Sequence, residues 1–180
     1  PESKAAETSK GRVFISAIND LRTFEQKPKS PRTPSVKGKL VKTTADDRAK
    51  LVGRQRNGYG MAMGSVALEE GRTVHDETRE LLTMALKQRG YSLSESAEGA
   101  ITLSADIEKF WAWFVPGFAS VSFESELAIK LDANNKSVLA TGSGVNKGQI
   151  ASNANWALTY KRAYQAFLDN IDQALIDLGL

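Results

Sequence analysis

The C-terminal part of the chain carries a continuous apolar stripe at helical spacing. Apolar residues recur every three or four positions from Trp156 to Leu178, and this spacing places side chains on one face of an α-helix. Ser152 or Asn153 precedes the stripe and is suited to cap such a helix. Roughly 26 residues at 1.5 Å each make a helix of about 39 Å, which is long enough to cross a whole sheet face. The aromatic residues in the stripe favour a helix that faces a core over a coiled coil.

A second helix is predicted between Thr73 and Gly90. Thr73 followed by Asp76 matches a variant of the capping box, and the apolar residues that follow form one stripe. Gly90 supplies the left-handed position at which many helices end. The single histidine of the chain, His75, is then a first-turn residue whose acidic neighbours do not face it. We therefore expect no metal site at this histidine.

Two segments with strict alternation predict a hairpin in the middle of the chain. Residues 101–107 and 121–131 alternate apolar with polar side chains, so each predicts a strand with one buried and one wet face. The apolar positions of both segments are odd-numbered, and directly paired residues share a face. A three-residue loop over 116–118 satisfies this condition, whereas a two-residue loop does not. The predicted pairs are Ile107–Leu127, Trp111–Phe123 and Trp113–Val121.

The tip of this hairpin is the first candidate contact surface. In the predicted register Trp111 and Trp113 continue the buried face, while other aromatic residues lie on the polar face. Apolar residues on a polar face beside a loop are typical of a surface that binds a partner or dips into a membrane. The alternative is that these aromatic residues are covered by a long basic loop, which is predicted at about 23–56. The candidate contacts are Phe110, Phe114, Pro116 and Phe118.

The remaining segments complete the prediction of an α+β fold. Residues 12–18 are apolar on both faces, which indicates a strand inside a sheet, and residues 137–145 predict a third strand after the hairpin. The predicted fold is an antiparallel sheet of four to five strands with two helices packed on one face. Its element order is strand, long loop, helix, three strands and helix. Residues 1–11 are expected to be a flexible tether, and residues 12–180 are expected to form a single domain.

Positive charge is concentrated in the first third of the chain. Residues 1–60 contain fourteen Lys and Arg against six Asp and Glu, although the whole chain has a net charge of only +3. Much of this charge lies in the predicted long loop at about 23–56. The segment from Lys27 to Arg56 has no aromatic residue on which a base could stack, which argues against nucleic acid. The remaining alternatives are lipid headgroups, an acidic protein patch, or a solvated arm that binds nothing. The candidate contacts to an anionic surface are Lys37, Lys39, Lys42, Arg48, Lys50, Arg54 and Arg56.

Composition and spacing exclude several kinds of chemistry. The chain has no cysteine, so thiol catalysis, disulfides and cysteine-ligated metals are excluded. The glycines of residues 58–64 are followed by extended-looking residues and not by a helix, unlike a dinucleotide-binding loop. The acidic pairs lie on separate segments, and Ser143 lacks the strand–turn–helix context of a nucleophile elbow. We therefore predict no catalytic residue, no metal, no cofactor and no enzymatic activity.

Two stretches of the sequence resemble a known family, the YajG-like uncharacterised lipoproteins of bacterial envelopes. In residues 56–91 an Asn-Gly-x-Gly-Met element is followed by a helix that ends in Arg-Gly-Tyr, and residues 151–153 (Ala-Ser-Asn) open the last helix. The Trp-rich tip and the regularly spaced Pro28, Pro31 and Pro34 of the predicted long loop depart from the family pattern. The resemblance implies a periplasmic protein anchored to a membrane, expected to be the outer one, by an N-terminal lipid on a cysteine upstream of Pro1. No catalytic residues are known for this family, so the resemblance implies none.

These features together predict a non-catalytic protein of the bacterial cell envelope. Its expected role is that of a scaffold or accessory subunit whose partner is another envelope protein. The alternative is a soluble binding domain that uses the basic 27–56 loop to bind anionic lipid or nucleic acid. Strongly salt-dependent retention on DNA would favour that alternative.

Overall fold

The computed structural model describes residues 9–23, 45–56, 62–150 and 152–180. In this part of the chain seven strands form one curled mixed sheet, which is accompanied by three helices. The strands are Gly11–Asp20 (β1), Leu51–Arg56 (β2), Ala62–Ala67 (β3), Tyr91–Leu93 (β4), Ile101–Pro116 (β5), Val121–Ala133 (β6) and Lys136–Gly148 (β7). The helices are Ala45–Lys50 (α1), Val74–Gln88 (α2) and Asn153–Asp177 (α3).

Strand β5 is the central strand of the sheet. It pairs with an antiparallel strand along one edge and with parallel strands along the other. Along one edge it pairs antiparallel with β6 from Ser104 to Pro116, and β6 in turn pairs with β7. Along the other edge it pairs in parallel with two different strands. β1 lies beside residues 101–107, and β2 meets β5 at Ala112. β4 and β3 are the outer strands of these two branches.

The predicted antiparallel sheet of four to five strands with two helices is therefore wrong. The described chain has a seven-stranded mixed sheet, and the additional helix α1 lies in the stretch predicted as a long loop. The apolar character of β1 correctly indicates a strand inside the sheet, between β4 and β5. This apolar character does not reveal whether the partner strand runs parallel or antiparallel to β1. Parallel partners need a long crossover connection, and alternation within two segments carries no information on such a connection.

A β-bulge at Glu108 changes which side chains of β5 face the core. One extra residue in a strand reverses the alternation beyond it. Even-numbered residues such as Phe110 and Ala112 therefore point into the core, while Trp111 packs in a separate cluster with Leu51. The observed pairs are Ile107–Ile129, Phe110–Leu127 and Phe114–Phe123. The predicted pairs Ile107–Leu127, Trp111–Phe123 and Trp113–Val121 are wrong, and residues 117–120 form the connection in place of a three-residue loop.

Helix α3 lies directly on the backbone of β7. The inward positions of β7 include Ala140, Gly142 and Gly144, which have little or no side chain. A Cβ at Gly142 would lie 2.4 Å from the Phe167 nitrogen, and a Cβ at Gly144 would lie 2.0 Å from the Thr159 oxygen. The missing side chains are what allow the helix to approach the strand this closely. They also explain why hydropathy does not indicate an inward face for this strand.

The predictions for the two long helices are confirmed. In α2 the Thr73 side chain accepts a hydrogen bond from the Asp76 N–H, and the Asp76 carboxylate accepts one from the Thr73 N–H at 2.9 Å. Gly90 follows the helix with a φ of +90°, and Ser152 caps α3. The main core lies between these helices and the sheet and includes Leu82, Leu103, Ile129 and Phe167.

Candidate functional site

Two of the candidate aromatic contacts, Phe110 and Phe114, pack against the interior of the fold. Phe110 is fully buried, and its ring centroid lies 5.6 Å from that of Tyr160 and 6.0 Å from that of Tyr164. Phe114 is half-buried beside the cluster that contains Phe123. The bulge in β5 is the cause, because it turns the even-numbered side chains inward. Phe110 therefore offers no surface to a partner.

Phe118 and Ile150 are exposed apolar side chains at the same end of the sheet. Phe118 is fully exposed in the connection between β5 and β6, and Ile150 is 71% exposed just after β7. The pairing of Val121 with Gly148 brings these two connections to the same end of the sheet. Pro116 ends β5 beside them, and its ring lies outside the described residues. We call the surface made by Phe118 and Ile150 the apolar end.

The chain enters the sheet at the opposite end. β1 runs parallel to β5, and Val13 near its start pairs with Ile101, the first residue of β5. The steps from Ile101 to Pro116 amount to about 50 Å of strand at ~3.3 Å per residue. The start of β1 and the apolar end are therefore separated by nearly the whole length of β5.

The candidate basic residues separate into three groups. Lys37, Lys39 and Lys42 lie outside the described residues. Lys50 and Arg54 are half-buried in the region of β2, and the side chain of Arg56 lies outside the described residues. Arg48 is drawn into the fold, where its guanidinium donates to the backbone oxygen of Arg22 and lies 3.6 Å from the Asp20 carboxylate. Arg48 therefore contributes to the folded structure, and its charge is not free to bind an anionic surface.

The Arg22 side chain lies in the gap between β1 and β2, the two strands that pair in parallel with β5. Its Nη1 donates to the Leu51 oxygen at 2.7 Å and to the Phe110 oxygen at 3.0 Å, so the guanidinium joins β2 to β5 just beyond the end of β1. Its Nε and Nη2 donate to the Asp20 carboxylate at 2.8 and 2.9 Å. Nη2 also donates to the Arg48 oxygen at 2.7 Å. The Arg22 side chain is only 1% exposed.

The buried side chains of Asp20 and Arg22 and the half-buried side chain of Arg48 form a cluster that we call the arginine junction. Burial by itself would raise the pKa of Asp20, but the hydrogen bonds and positive charge of Arg22, with a contribution from Arg48, hold that pKa below its usual range. The carboxylate is therefore ionised at neutral pH and paired inside the fold. The junction ties the end of β1 to α1, β2 and β5.

An apolar groove runs along α3, between α2 on one side and β3 on the other. Two adjoining cavities of about 350 and 340 Å³ share Ala157, Tyr160 and Tyr164, which form the floor. The walls include Leu81, Met84 and Leu168 in the first cavity and Val66, Leu68 and Trp156 in the second. Cavities of this size fall within the range of small-molecule sites, roughly 300–1,000 Å³.

The hydroxyl groups of both floor tyrosines are already bonded within the protein. Tyr160 donates to the Val52 oxygen, and Tyr164 donates to Glu77 Oε2 at 2.9 Å. Burial raises the pKa of both phenols, and the negative charge of Glu77 raises the pKa of Tyr164 further. The floor of the groove is therefore uncharged and presents the faces of two aromatic rings.

We expect these two tyrosines to ionise only when the protein unfolds. Their folded pKa values lie above the unfolded value, so their contribution to stability is complete below about pH 10 and is lost as the pH rises through the folded values. In an alkaline titration, part of the tyrosinate absorbance should therefore appear together with the unfolding transition. Tyr160→Phe and Tyr164→Phe should each reduce that part by about half. Full tyrosinate absorbance before any loss of the circular dichroism signal would contradict this expectation.

The acidic residues at the start of α2 are paired along the helix surface. The Arg72 guanidinium donates to Glu77 at 2.8 Å and to Glu80 at 3.0 Å. The hydrogen bonds from Thr73 lower the pKa of Asp76. Among the described residues, no group of three or more His, Asp or Glu side chains is placed to hold a metal ion. None of the described helices is both long and apolar enough to cross a membrane.

Sequence reasoning does not find the groove or the arginine junction. Tyr160 and Tyr164 belong to the stripe that predicts α3, so they are assigned to the core and not to a groove floor. Ala157, a small residue one turn before Tyr160, is the one local signal that the helix leaves space there. Arg22 directly precedes the predicted basic loop, and nothing in its surroundings distinguishes it from a solvated charge.

No protein-family model and no curated protein matches the sequence. Among solved structures, the fold is similar to that of protein XCC0632 from Xanthomonas campestris, which is assigned to the family DUF330. The TM-score is 0.54 at 11% sequence identity, and the match covers 98% of this chain and 89% of that one. The hypothetical protein CT253 from Chlamydia trachomatis matches with a TM-score of 0.46 at 9% identity, over 91% of this chain and 96% of that one. At 11% identity the likeness to XCC0632 establishes a shared fold with this uncharacterised bacterial protein.

Proposed function

We propose that this protein is a non-catalytic accessory subunit of a bacterial cell-envelope complex, of the YajG-like lipoprotein type. It is held in the periplasm at a membrane by an N-terminal lipid, and it contacts an envelope protein through the apolar end. The observation that carries the proposal is the separation of the start of β1 from the apolar end by about 50 Å of strand. A domain tethered at β1 can therefore present Phe118 and Ile150 at the end of the sheet remote from its tether.

The sequence motifs support the assignment to the bacterial envelope. The motifs of residues 56–91 resemble those of envelope lipoproteins. This resemblance does not depend on the apolar end, so the assignment to the envelope and the assignment of the contact surface can be tested separately.

A protein partner accounts for the apolar end better than the tethering membrane does. Phe118 and Ile150 are large side chains that remain in contact with water in the isolated domain. Exposed aromatic and aliphatic residues at a loop end are typical anchors of protein interfaces. The tethering membrane lies, in this proposal, beside the start of β1 and thus at the other end of β5.

Site-specific crosslinking in intact cells tests the contact. A photoreactive amino acid at Phe118 or Ile150 should give a discrete crosslinked protein in the membrane fraction. The matched control is Leu139, which is 51% exposed on the outer side of β7 and lies away from the apolar end. Phe118→Ser should abolish the crosslink from position 150 without changing the melting temperature, because the Phe118 ring has no buried contact to lose. Equal crosslinking from positions 118 and 139 would contradict the assignment of this surface.

Lipid labelling and vesicle binding test the anchor and the alternatives. The product of the natural gene should incorporate a fatty-acid analogue when cells are labelled metabolically, and an unlabelled product would contradict the anchor. The purified 180-residue chain should not float with anionic vesicles and should not be retained on DNA in a salt-dependent way. Flotation that Phe118→Ser abolishes would show that the apolar end enters a membrane. Salt-dependent retention on DNA would favour the soluble binding domain.

A further inference from the structure

The apolar groove along α3 has a shape that suits an extended ligand. Its two cavities adjoin and share their floor, so they form one elongated trough. From Asn153 to Leu168 the trough follows α3 for about 22 Å at 1.5 Å per residue. An α-helix is about 10–12 Å across with its side chains. Each cavity, of about 350 or 340 Å³, is therefore suited to a single flexible chain and not to a whole helix.

The surface of the groove is suited to an apolar chain. The hydroxyls of Tyr160 and Tyr164 are bonded to Val52 and Glu77, so the floor offers ring faces and no free donor. A ligand with polar groups along its length would lose its hydrogen bonds to water without replacement. A hydrocarbon chain loses none, and each buried methylene contributes about 0.8 kcal/mol. Met84, which is 49% exposed on the wall, can adapt its flexible side chain to such an occupant.

The charges at the rim favour an anionic headgroup on one side of the groove. Lys161 lines the first cavity, is exposed and makes no ion pair with any described residue. Glu69 lines the second cavity, beside β3. A carboxylate is attracted to the lysine and repelled by the glutamate. This charge complementarity gives a ligand one orientation, with its headgroup at Lys161 and its chain directed toward Trp156.

We propose that the groove binds a fatty acid. The carboxylate pairs with Lys161, and the acyl chain lies on Ala157 and Tyr160 and ends in the cavity lined by Trp156. The proposal goes beyond the envelope role and does not depend on it. A failure of fatty-acid binding leaves the apolar end and the lipid anchor untouched, because those are tested with different residues and different measurements.

Trp156 provides the reporter for the test. Dodecanoate that carries bromine at the end of its chain should quench the fluorescence of Trp156 on binding, because a heavy atom quenches only at close approach. The other two tryptophans, Trp111 and Trp113, lie in a separate cluster beside Leu51. Titration of the purified 180-residue chain should give saturable quenching, which Trp156→Phe should remove. Quenching that does not saturate, or that persists in Trp156→Phe, would overturn the proposal.

Two matched pairs of measurements distinguish binding in the groove from unspecific binding elsewhere on the protein. Ala157→Phe fills the shared floor and should weaken dodecanoate binding by about tenfold or more, which corresponds to ~1.4 kcal/mol. Ala154→Phe, at an exposed position of α3 that does not line the groove, should bind like the unmodified chain. Lys161→Gln should weaken dodecanoate by about fivefold, the order expected of one exposed ion pair, and should leave dodecanol unaffected. Equal binding to the Ala157→Phe and Ala154→Phe variants would overturn the site, and equal effects of Lys161→Gln on acid and alcohol would overturn the headgroup assignment.

Discussion

Replacing Arg22 with methionine is expected to lower the free energy of unfolding by about 3–5 kcal/mol, the range for removing one partner of a buried ion pair. The variant keeps the apolar stem but removes the donors that reach Leu51, Phe110 and Asp20. The backbone oxygens of Leu51, Phe110 and Arg48 then each lose a hydrogen bond. A carboxylate that is only 8% exposed also loses its main counter-charge. Urea denaturation followed by tryptophan fluorescence measures the loss.

Three comparisons make the Arg22 prediction specific. Arg22→Lys should recover little stability, because one ammonium cannot replace a planar group that bonds several acceptors at once. Arg72→Met removes a surface arginine that pairs with Glu77 and Glu80, and it should have a much smaller effect. Asp20→Asn in the Arg22→Met background should restore part of the stability, because the buried charge is then gone. Similar losses for Arg22→Met and Arg72→Met would contradict the role of the arginine junction.

The pH dependence of the same variant has a defined sign. In the unmodified protein the pKa of Asp20 is held below its usual range, so its contribution is present at neutral pH and is lost as the pH falls through that lowered value. In Arg22→Met the burial of Asp20 is no longer opposed by Arg22, so its pKa rises and protonation in acid relieves the buried charge. The difference in stability between the two proteins should therefore narrow below about pH 4.

Replacing Gly144 with alanine is expected to lower the free energy of unfolding by about 3 kcal/mol, the upper part of the usual range for overpacking. The added Cβ would lie 2.0 Å from the Thr159 oxygen and 2.7 Å from the Ala163 nitrogen, so α3 must move away from β7. That movement also weakens the hydrogen bond from the Thr159 hydroxyl to the Gly144 oxygen, which is 2.9 Å long. The obstacle is backbone, which cannot rotate aside as a side chain can.

Gly64 supplies the matched control for this substitution. It also lies in a strand, β3, but a Cβ there would meet nothing within 4 Å. Gly64→Ala should therefore change the stability by no more than about 0.5 kcal/mol. Gly142→Ala, whose Cβ would lie 2.4 Å from the Phe167 nitrogen, should resemble Gly144→Ala. A Gly144→Ala protein as stable as Gly64→Ala, by thermal or urea denaturation, would contradict the close contact between α3 and β7.

The elements that sequence predicts well are those whose signals are local. The capping box of Thr73 and Asp76, the left-handed Gly90 and the cap at Ser152 are all found where the sequence places them. Each of these features depends on residues within one or two helical turns of each other. A single sequence is sufficient for them.

The features that the sequence does not predict depend on contacts between residues that are far apart in the sequence. The bulge at Glu108 lies in a run where Phe110 and Trp111 are both apolar, so either register satisfies the hydrophobic pattern. The middle of the inward face of β7 is formed by Ala140, Gly142 and Gly144 because α3 occupies the space, and small residues give hydropathy no contrast. The direction of β1 relative to β5 is a property of the whole connection between them.

The same difference between local signals and long-range contacts applies to the candidate site. Phe118 is exposed in the loop where the sequence places it, because a loop position needs no knowledge of the register. Phe110 is buried because the register differs from the predicted one. The groove and the arginine junction are each built from three or more elements that are distant in the chain. Apart from the small residue Ala157 in α3, no local pattern indicates them.

The parallel pairing of β1 with β5 bears on how a newly made chain reaches its native state. β1 is synthesised early, but the strand that completes its ladder is made about ninety residues later. Strand pairing over such a separation is slow, because chain entropy is lost before the contacts that compensate for it exist. The meander of β5, β6 and β7 with α3 is built from neighbouring segments, so it is expected to assemble first and to serve as a template for β1. We therefore expect β1 to gain its full ladder of hydrogen bonds only after β5 is in place.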